Sequence, residues 1–368
     1  MDRSTGVLPG TFFNDPMNRR SFLTAAALAP FAGVLAADTP TRIRIGQIGT
    51  SHAHASGKMD AIRSLTDDFE LVGIAEPIPG RQLRAERQES YAGLKWLTEA
   101  ALLSDPSVQV IAVETTLGDS ARAALACVRA GKHVHLDKPG AETHADFTAM
   151  RLEAERRRLT VQMGYMLRYN PAFELLFRAR REGWLGDLTE IDASMGKLAD
   201  AQLHAELNAV PGHGMFELAC HLVDVVVFLL GAPSAVHAFG KPTGLAPSGL
   251  PDNQLAVLEY PKATVTLRCN HGDPFGGPHR RFHVAGTKGA MEIQPLESGQ
   301  GSVCLLEAKG DFKKGENALT LAVPKGRYDG EFRDLARVLR GEKRLAWSAE
   351  HDIAVHATAL RCAGLKPE

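Results

Sequence analysis

The sequence predicts an α/β protein: a doubly wound parallel sheet of the Rossmann type in the N-terminal half, then an α+β half with a large, open, mainly antiparallel sheet. Three observations predict it. Arg42 to Gly57 runs from a short apolar strand through closely spaced glycines into a helix-compatible segment. Continuous apolar runs then alternate with helical segments as far as Met166. Beyond that point the pattern changes to short β-branched or alternating stretches separated by turns.

Ile43, Ile45 and Ile48 give the first strand. Gly46 is expected to let the chain turn sharply. Gly49 is expected to bring the backbone close to a pyrophosphate, with free N–H groups at the next helix's start, beside Thr50, Ser51 and His52, facing the phosphates. His52 stands where the fingerprint's third glycine is expected, so this stretch alone reads equally as a dinucleotide site or an ordinary strand-to-helix turn. Phe69 to Ala75 tips the balance. It is a second buried strand, ending in Glu76, a carboxylate placed to accept the adenosine ribose hydroxyls or, more blandly, a solvated charge at a strand end. Its charge repels a 2′-phosphate and favours NAD, while Arg81 and Arg84 keep NADP open.

The alternation continues. Val108 to Val113 is a strand ending in Glu114, Thr115 and Thr116, and either threonine is a cofactor contact or a plain strand end. Asp119 to Ala130 is a helix, and Lys132 to Leu136 a strand that delivers Asp137-Lys138-Pro139-Gly140 to its carboxyl end, where open α/β sheets bind ligands. A helix over Thr143 to Arg158 and a strand over Val161 to Met166 complete the nucleotide domain, taken as 38–160. The second domain, 161–368, has strands at Leu188 to Ser194, Ser234 to Phe239, Gln254 to Tyr260, Thr264 to Asn270, Arg281 to Ala285 and Gly289 to Ile293. Helices are expected at Gly214 to Leu230 and Tyr328 to Gly341.

The chain of 368 residues is 44% apolar with a formal net charge of -1, a balance that points to neither nucleic acid nor a membrane surface. Its five cysteines are scattered and show no metal spacing or disulfide framework. Arg19-Arg20 directly before the alanine-rich stretch Phe22 to Ala36 reads as a twin-arginine export signal, so 1–37 is a leader and the protein periplasmic or otherwise exported. That route exports folded proteins, which suits a tightly held cofactor regenerated within each turnover.

Several segments then align in one order: the glycine turn, GKHVHLDKP (Gly131 to Pro139), GYMLRYNPAF (Gly164 to Phe173), GHGMFELACHLVDVVVFLLGAP (Gly212 to Pro233) and VAGTKGAMEI (Val284 to Ile293). Together they resemble the glucose-fructose oxidoreductase, inositol dehydrogenase and rhizopine-catabolism (Gfo/Idh/MocA) family. The resemblance implies a Rossmann domain, a second domain whose sheet mediates homo-oligomers, and NAD(P)-dependent chemistry on sugar-like substrates. It carries Lys138 over as the family's lysine beside the nicotinamide, whose ammonium steadies a developing alkoxide. Asp137 replaces the commoner glutamate of that triplet, and Glu217 the usual aspartate.

Glu217 and His221 lie four apart in a helix-compatible run, so a hydrogen bond between them is expected, making His221 the base for the substrate hydroxyl. Asp224 is expected to support the site residues from behind or to make domain contacts, while Arg168, Tyr169 and Asn170 line the pocket or pack at the domain junction. His213, Glu217 and His221 also form an i, i+4, i+8 stripe suited to a metal, but Gly212 and Gly214 argue for a loop at His213, and no metal is assigned. The function expected is an exported NAD(P)-dependent oxidoreductase acting on a hydroxyl of a sugar, polyol or glycoside. Two alternatives stay open: a glycoside-cleaving enzyme with an internally recycled cofactor, and a nonenzymatic sugar-binding protein.

Overall fold

A computed structural model describes residues 42–246 and 249–368. The leader read at 1–37, with its twin-arginine signal, lies outside them. The described chain opens with β1 (Ile43–Ile48), α1 (Ala55–Ser64), β2 (Phe69–Ala75), α2 (Pro79–Ala85), α3 (Glu99–Ser104), β3 (Val110–Val113), α4 (Leu117–Arg129), β4 (His133–Leu136), α5 (His144–Arg156) and β5 (Val161–Met163). The five strands pair in parallel in the order β2-β1-β3-β4-β5. Every residue of β3, VIAV, is buried, as expected of a strand covered on both faces. Thr98 and Thr143 start α3 and α5 by accepting the N–H of the residue three positions on, which is why those helices begin where they do. The strand order reverses between β1 and β3, so a crevice opens at their carboxyl ends.

One expectation at this crevice is corrected. Gly46 lies inside β1 rather than at the turn, and a Cβ there would come 2.9 Å from Leu102 Cδ2 and 3.1 Å from Ile111 Cδ1. Its smallness admits the α3 leucine onto the sheet. The turn begins at Gly49.

The second sheet is built from β6 (Leu188–Gly196), β7 (Ala235–Lys241), β8 (Asn253–Glu259), β9 (Thr264–Asn270), β10 (Arg281–Gly286), β11 (Gly289–Ile293), β12 (Gln300–Leu305) and β13 (Gly315–Thr320), ordered β13-β12-β11-β10-β6-β9-β8-β7. Only β6 and β9 run parallel. The six expected strands are present. β12 and β13 extend the edge beyond them, in stretches whose glycines and polar residues hid the alternation. Val265, Leu267 and Cys269 of β9 point to one face with Phe282 and Val284 of β10. That face meets α6 (Pro171–Arg181), α9 (Cys220–Leu230) and α12 (Ala349–Cys362), whereas the other carries the partly exposed Asp192, Thr266, Arg281 and His283. The shorter helices α7 (Ala201–Asn208), α8 (His213–Glu217) and α10 (Gly276–His279) lie in the connections.

The chain finally returns to the first sheet. α11 (Asp329–Leu339) buries Phe332, Leu335 and Ala336 in one apolar cluster with Ile43, Ile45, Val110 and Ala112, and the Phe332 ring meets that of Phe69 edge-on at 6.0 Å. Between the two sheets lies a buried ionic joint. The Arg168 guanidinium grips Asp224 with Nε at 2.9 Å and Nη2 at 2.6 Å, and Nη2 also reaches Asp352 at 2.7 Å. Arg151 holds the other side of Asp352 at 2.8 Å. Arg168 is therefore a junction residue rather than a pocket residue, and Asn170 caps α6 through the Ala172 N–H.

Candidate active site

Gly49 leaves β1 with φ +86°, and a Cβ there would sit 2.7 Å from Thr115 and 2.8 Å from the Glu114 backbone. Only glycine fits this close crossing of two strand ends. The N–H groups expected to face phosphates are taken up inside the protein. Thr50 donates both its N–H and its hydroxyl to Glu76 Oε2 at 2.8 Å, and the N–H groups of Ser51 and His52 both reach the Glu114 carbonyl. Glu76, bonded also to the Ile78 N–H, is nearly buried in a small notch beside Arg81 and the glycine turn. The buried Ser51 hydroxyl has no partner among the described residues.

Beyond the turn a cleft of about 770 Å³ runs along the carboxyl ends of the strands. Arg81, Arg84 and Gln88 line one end; Thr50, Ser51, His52, Thr115 and Thr116 the middle; Lys138, Glu217, Lys197, Gln202 and Glu206 the other. Lys138 reaches this end from β4 through a buried stem, donating from Nζ to the Glu217 carboxylate and to the Glu217 carbonyl, each at 2.6 Å. Burial works against both charges, yet each partner overcomes it for the other: Lys138 stays above its ordinary pKa and Glu217 is held down at about 2. The pair is an ammonium and a carboxylate throughout the physiological range.

The expected bond between Glu217 and His221 is absent. The single helix read over Gly214 to Leu230 is two: α8 ends at Glu217 and α9 begins at Cys220. Lys138 draws both the carbonyl and the carboxylate of Glu217 toward the cleft, so the stripe of the sequence is broken at its middle. His221 is buried, meets the Tyr165 ring edge-on at 5.7 Å, leaves Nδ1 without a partner among the described residues, and does not line the cleft. Burial, and then the Lys138 charge, push its pKa well down. His213 opens α8 at φ +57° with Nδ1 3.0 Å from the Leu207 carbonyl, outside any metal stripe.

Asp137 turns away from the cleft into a buried cluster. Its Oδ2 lies 2.7 Å from Lys58 Nζ, 3.0 Å from His52 Nδ1 and 3.1 Å from His54 Nδ1. These partners outweigh burial and hold its carboxyl well below the ordinary range. Lys58 Nζ, fully buried on α1, also lies 2.8 Å from His135 Nε2, 3.4 Å from Glu114 and 3.6 Å from Glu331 of α11. Burial alone would lower Lys58, but three carboxyls keep it charged. Burial, helped by neighbouring charges, pushes Glu114 up, Glu331 up to about 7 and His135 down to about 3.

Two family models match consecutive stretches of the chain: the oxidoreductase family with an NAD-binding Rossmann fold over residues 43–165, and the GFO/IDH/MocA C-terminal domain over residues 173–292. The chain belongs to the Gfo/Idh/MocA oxidoreductase family. Among curated relatives, trans-1,2-dihydrobenzene-1,2-diol dehydrogenase of Bos taurus is 28% identical over 195 residues, 52% of this chain and 56% of that protein. The chain thus spans little more than half the length of such relatives. The scyllo-inositol 2-dehydrogenase (NADP+) of Bacillus subtilis (strain 168) is 23% identical over 275 residues, 69% of this chain and 75% of that one. A levoglucosan dehydrogenase solved with NADH and levoglucosan shares the fold, with a TM-score of 0.74 at 19% identity over 88% of this chain and 98% of that one.

The Gfo/Idh/MocA nucleotide domain fits this chain's own geometry. A dinucleotide needs an elongated crevice at the switch point, a strand crossing too tight for a side chain, and unsatisfied donors; the cleft, Gly49 and the Ser51 hydroxyl provide them. Gly49, Thr50, Ser51, His52, Thr115, Thr116 and Lys138 stand at or along the cleft, Glu76 beside it, and Gly46, Asp137 and His221 away from it. Sequence reasoning missed Lys58, Glu331, Lys197, Gln202 and Glu206. Lys58 and Glu331 are 273 positions apart and carried no local signal; the others sit on β6's exit and α7, which no motif marks.

Proposed function

We propose that this chain is an NAD(P)-dependent oxidoreductase transferring hydride between a nicotinamide cofactor and a hydroxyl of a sugar, polyol or glycoside. The observation that carries the reading is the buried Lys138 ammonium, aimed by Glu217 into the cleft that the glycine turn shares. Oxidation of an alcohol needs a positive group beside the oxygen as the hydride leaves, and the bound nicotinamide supplies the hydride acceptor. Lys138 meets the first need. Being already protonated it stabilises the alkoxide in both directions of the reaction. His52, on the cleft wall with its Nδ1 3.0 Å from Asp137, is better placed than buried His221 to receive the hydroxyl proton.

Lys197, Gln202 and Glu206 give the substrate end both donors and acceptors, which suits a polyhydroxylated molecule. Glu76 favours NAD, while Arg81 and Arg84 on the cleft wall would receive a 2′-phosphate. We further propose export by the twin-arginine machinery, from the leader's sequence, and self-association through the open face of the second sheet.

Mass spectrometry of small molecules released on denaturing the purified protein, with a nicotinamide-absorbance assay on myo-inositol, scyllo-inositol and levoglucosan, tests the proposal. Release of NAD or NADP, or its binding at micromolar concentration, is expected. Sugar binding without any dinucleotide binding would overturn it, and cleavage of aryl glycosides with no net NADH would move the assignment to redox-neutral cleavage.

A further inference from the structure

The buried carboxyls around Lys58 take part in no step above. We infer that Glu114 and Glu331, buried beside the ionised Asp137, share a proton whose residence is governed by the charge of the nicotinamide ring, so that the core of this chain takes up the proton a substrate hydroxyl gives up. The inference rests on the proposed function and deepens it.

Three carboxyls surround one ammonium, with Lys58 Nζ 2.7 Å from Asp137, 3.4 Å from Glu114 and 3.6 Å from Glu331. All four side chains are buried to within 1%. Fully ionised, they would place two uncompensated negative charges where no water reaches, and carboxyls so close do not all ionise together. Asp137 is the ionised member, since it accepts the Lys138 N–H at 2.7 Å and faces Lys58, His52 and His54. Glu114 and Glu331 have no hydrogen-bond partner on either oxygen among the described residues, so the shared proton resides on them. The groups facing Glu331 are Lys58 of α1, His135 of β4, Asp137 and Glu114 at the strand ends, Arg327 and Tyr328 just before α11, and Tyr169.

One imidazole separates the cluster from the cleft. His52 lines the cleft, and its Nδ1 lies 3.0 Å from Asp137 and 3.8 Å from Glu114. When an alcohol is oxidised, its carbon gives a hydride to the ring and its oxygen gives up a proton. The ring loses its positive charge. If the cluster gains the proton, the charge of the site is unchanged and no ion has to leave it. A unit charge brought into the cleft would shift the cluster's proton equilibrium, because charges inside a protein interact through an effective dielectric of only about 20. The oxidised ring therefore drives the proton off and the reduced ring retains it.

Calorimetric binding of NAD+ and of NADH to the full chain, each in phosphate and in Tris near neutral pH, counts the protons exchanged without any substrate. The NADP+ and NADPH pair serves if it binds more tightly. NAD+ should release a substantial fraction of a proton more than NADH. The ratio of their affinities should move several-fold toward NAD+ between about pH 6 and about pH 8. Glu331→Gln and Glu114→Gln, neutral and of equal size, should each shrink that difference. Equal proton counts for the two forms in the unaltered protein, or a full difference surviving both variants, would overturn the inference while leaving the cofactor reading intact. Failure of either dinucleotide to bind would sink both.

Discussion

Lys138 shows how one side chain's surroundings decide its chemistry. A buried lysine without a partner loses its proton easily, but Glu217 supplies a carboxylate and a carbonyl at 2.6 Å, so this one stays cationic. Lys138→Met should lower kcat by about two to four orders of magnitude while sparing dinucleotide affinity, a split read from steady-state kinetics beside direct cofactor titration. Glu217 offers a second check. Its folded pKa, about 2, lies below its unfolded value, so the pair's stabilisation is present above the ordinary carboxylate range and is lost as pH falls toward 2. Melting temperatures across pH should show Glu217→Gln less stable than the unaltered chain near neutrality, with the gap closing in acid.

At the scale of elements, the glycine turn and the α8–α9 break set where functional groups point. Gly49 was legible because a strand, a glycine and a second acidic strand end make a local pattern. The break at Leu218 was not, since its cause is a lysine 79 positions away that takes hold of Glu217. α11 is a similar case. Its amphipathic sequence announces a helix but not the sheet it covers, and Phe332 turns out to pack on the first sheet beside the Lys58 cluster. Phe332→Ala should cost about 3–5 kcal/mol in chemical denaturation and weaken dinucleotide binding, because α11 carries Glu331 against α1. An unchanged denaturation midpoint would contradict this packing.

For the whole molecule, the joint of Arg151, Arg168, Asp224 and Asp352 ties the first sheet's last segment to the helices of the second. Its charges are buried and matched, so its removal is felt through the partners left behind. Arg168→Met leaves the Asp224 carboxylate to His351, 2.9 Å away, and loosens Asp352, and should destabilise the chain by about 3–5 kcal/mol in urea unfolding. Arg168→Lys should recover only part of that, since an ammonium cannot grip two carboxylates as a planar fork does. Sedimentation of the purified protein tests self-association: a monomer at micromolar concentration would remove the assembly expected of the open sheet face.

The sequence by itself determined the two sheets, most strand positions, the glycine turn at Gly49 and the place of Lys138 at a strand's carboxyl end. Each is written in nearest neighbours: apolar period, glycine placement, a short motif at a strand end. Only the tertiary structure decided which groups meet. It turned Asp137 away from the cleft, gave Glu217 to Lys138 instead of His221, and gathered Lys58, Glu114 and Glu331 into one buried site. Those pairings are settled by burial and by charges brought from distant parts of the chain, where a few ångströms decide which partner a carboxylate takes, and no periodicity along the sequence encodes that distance.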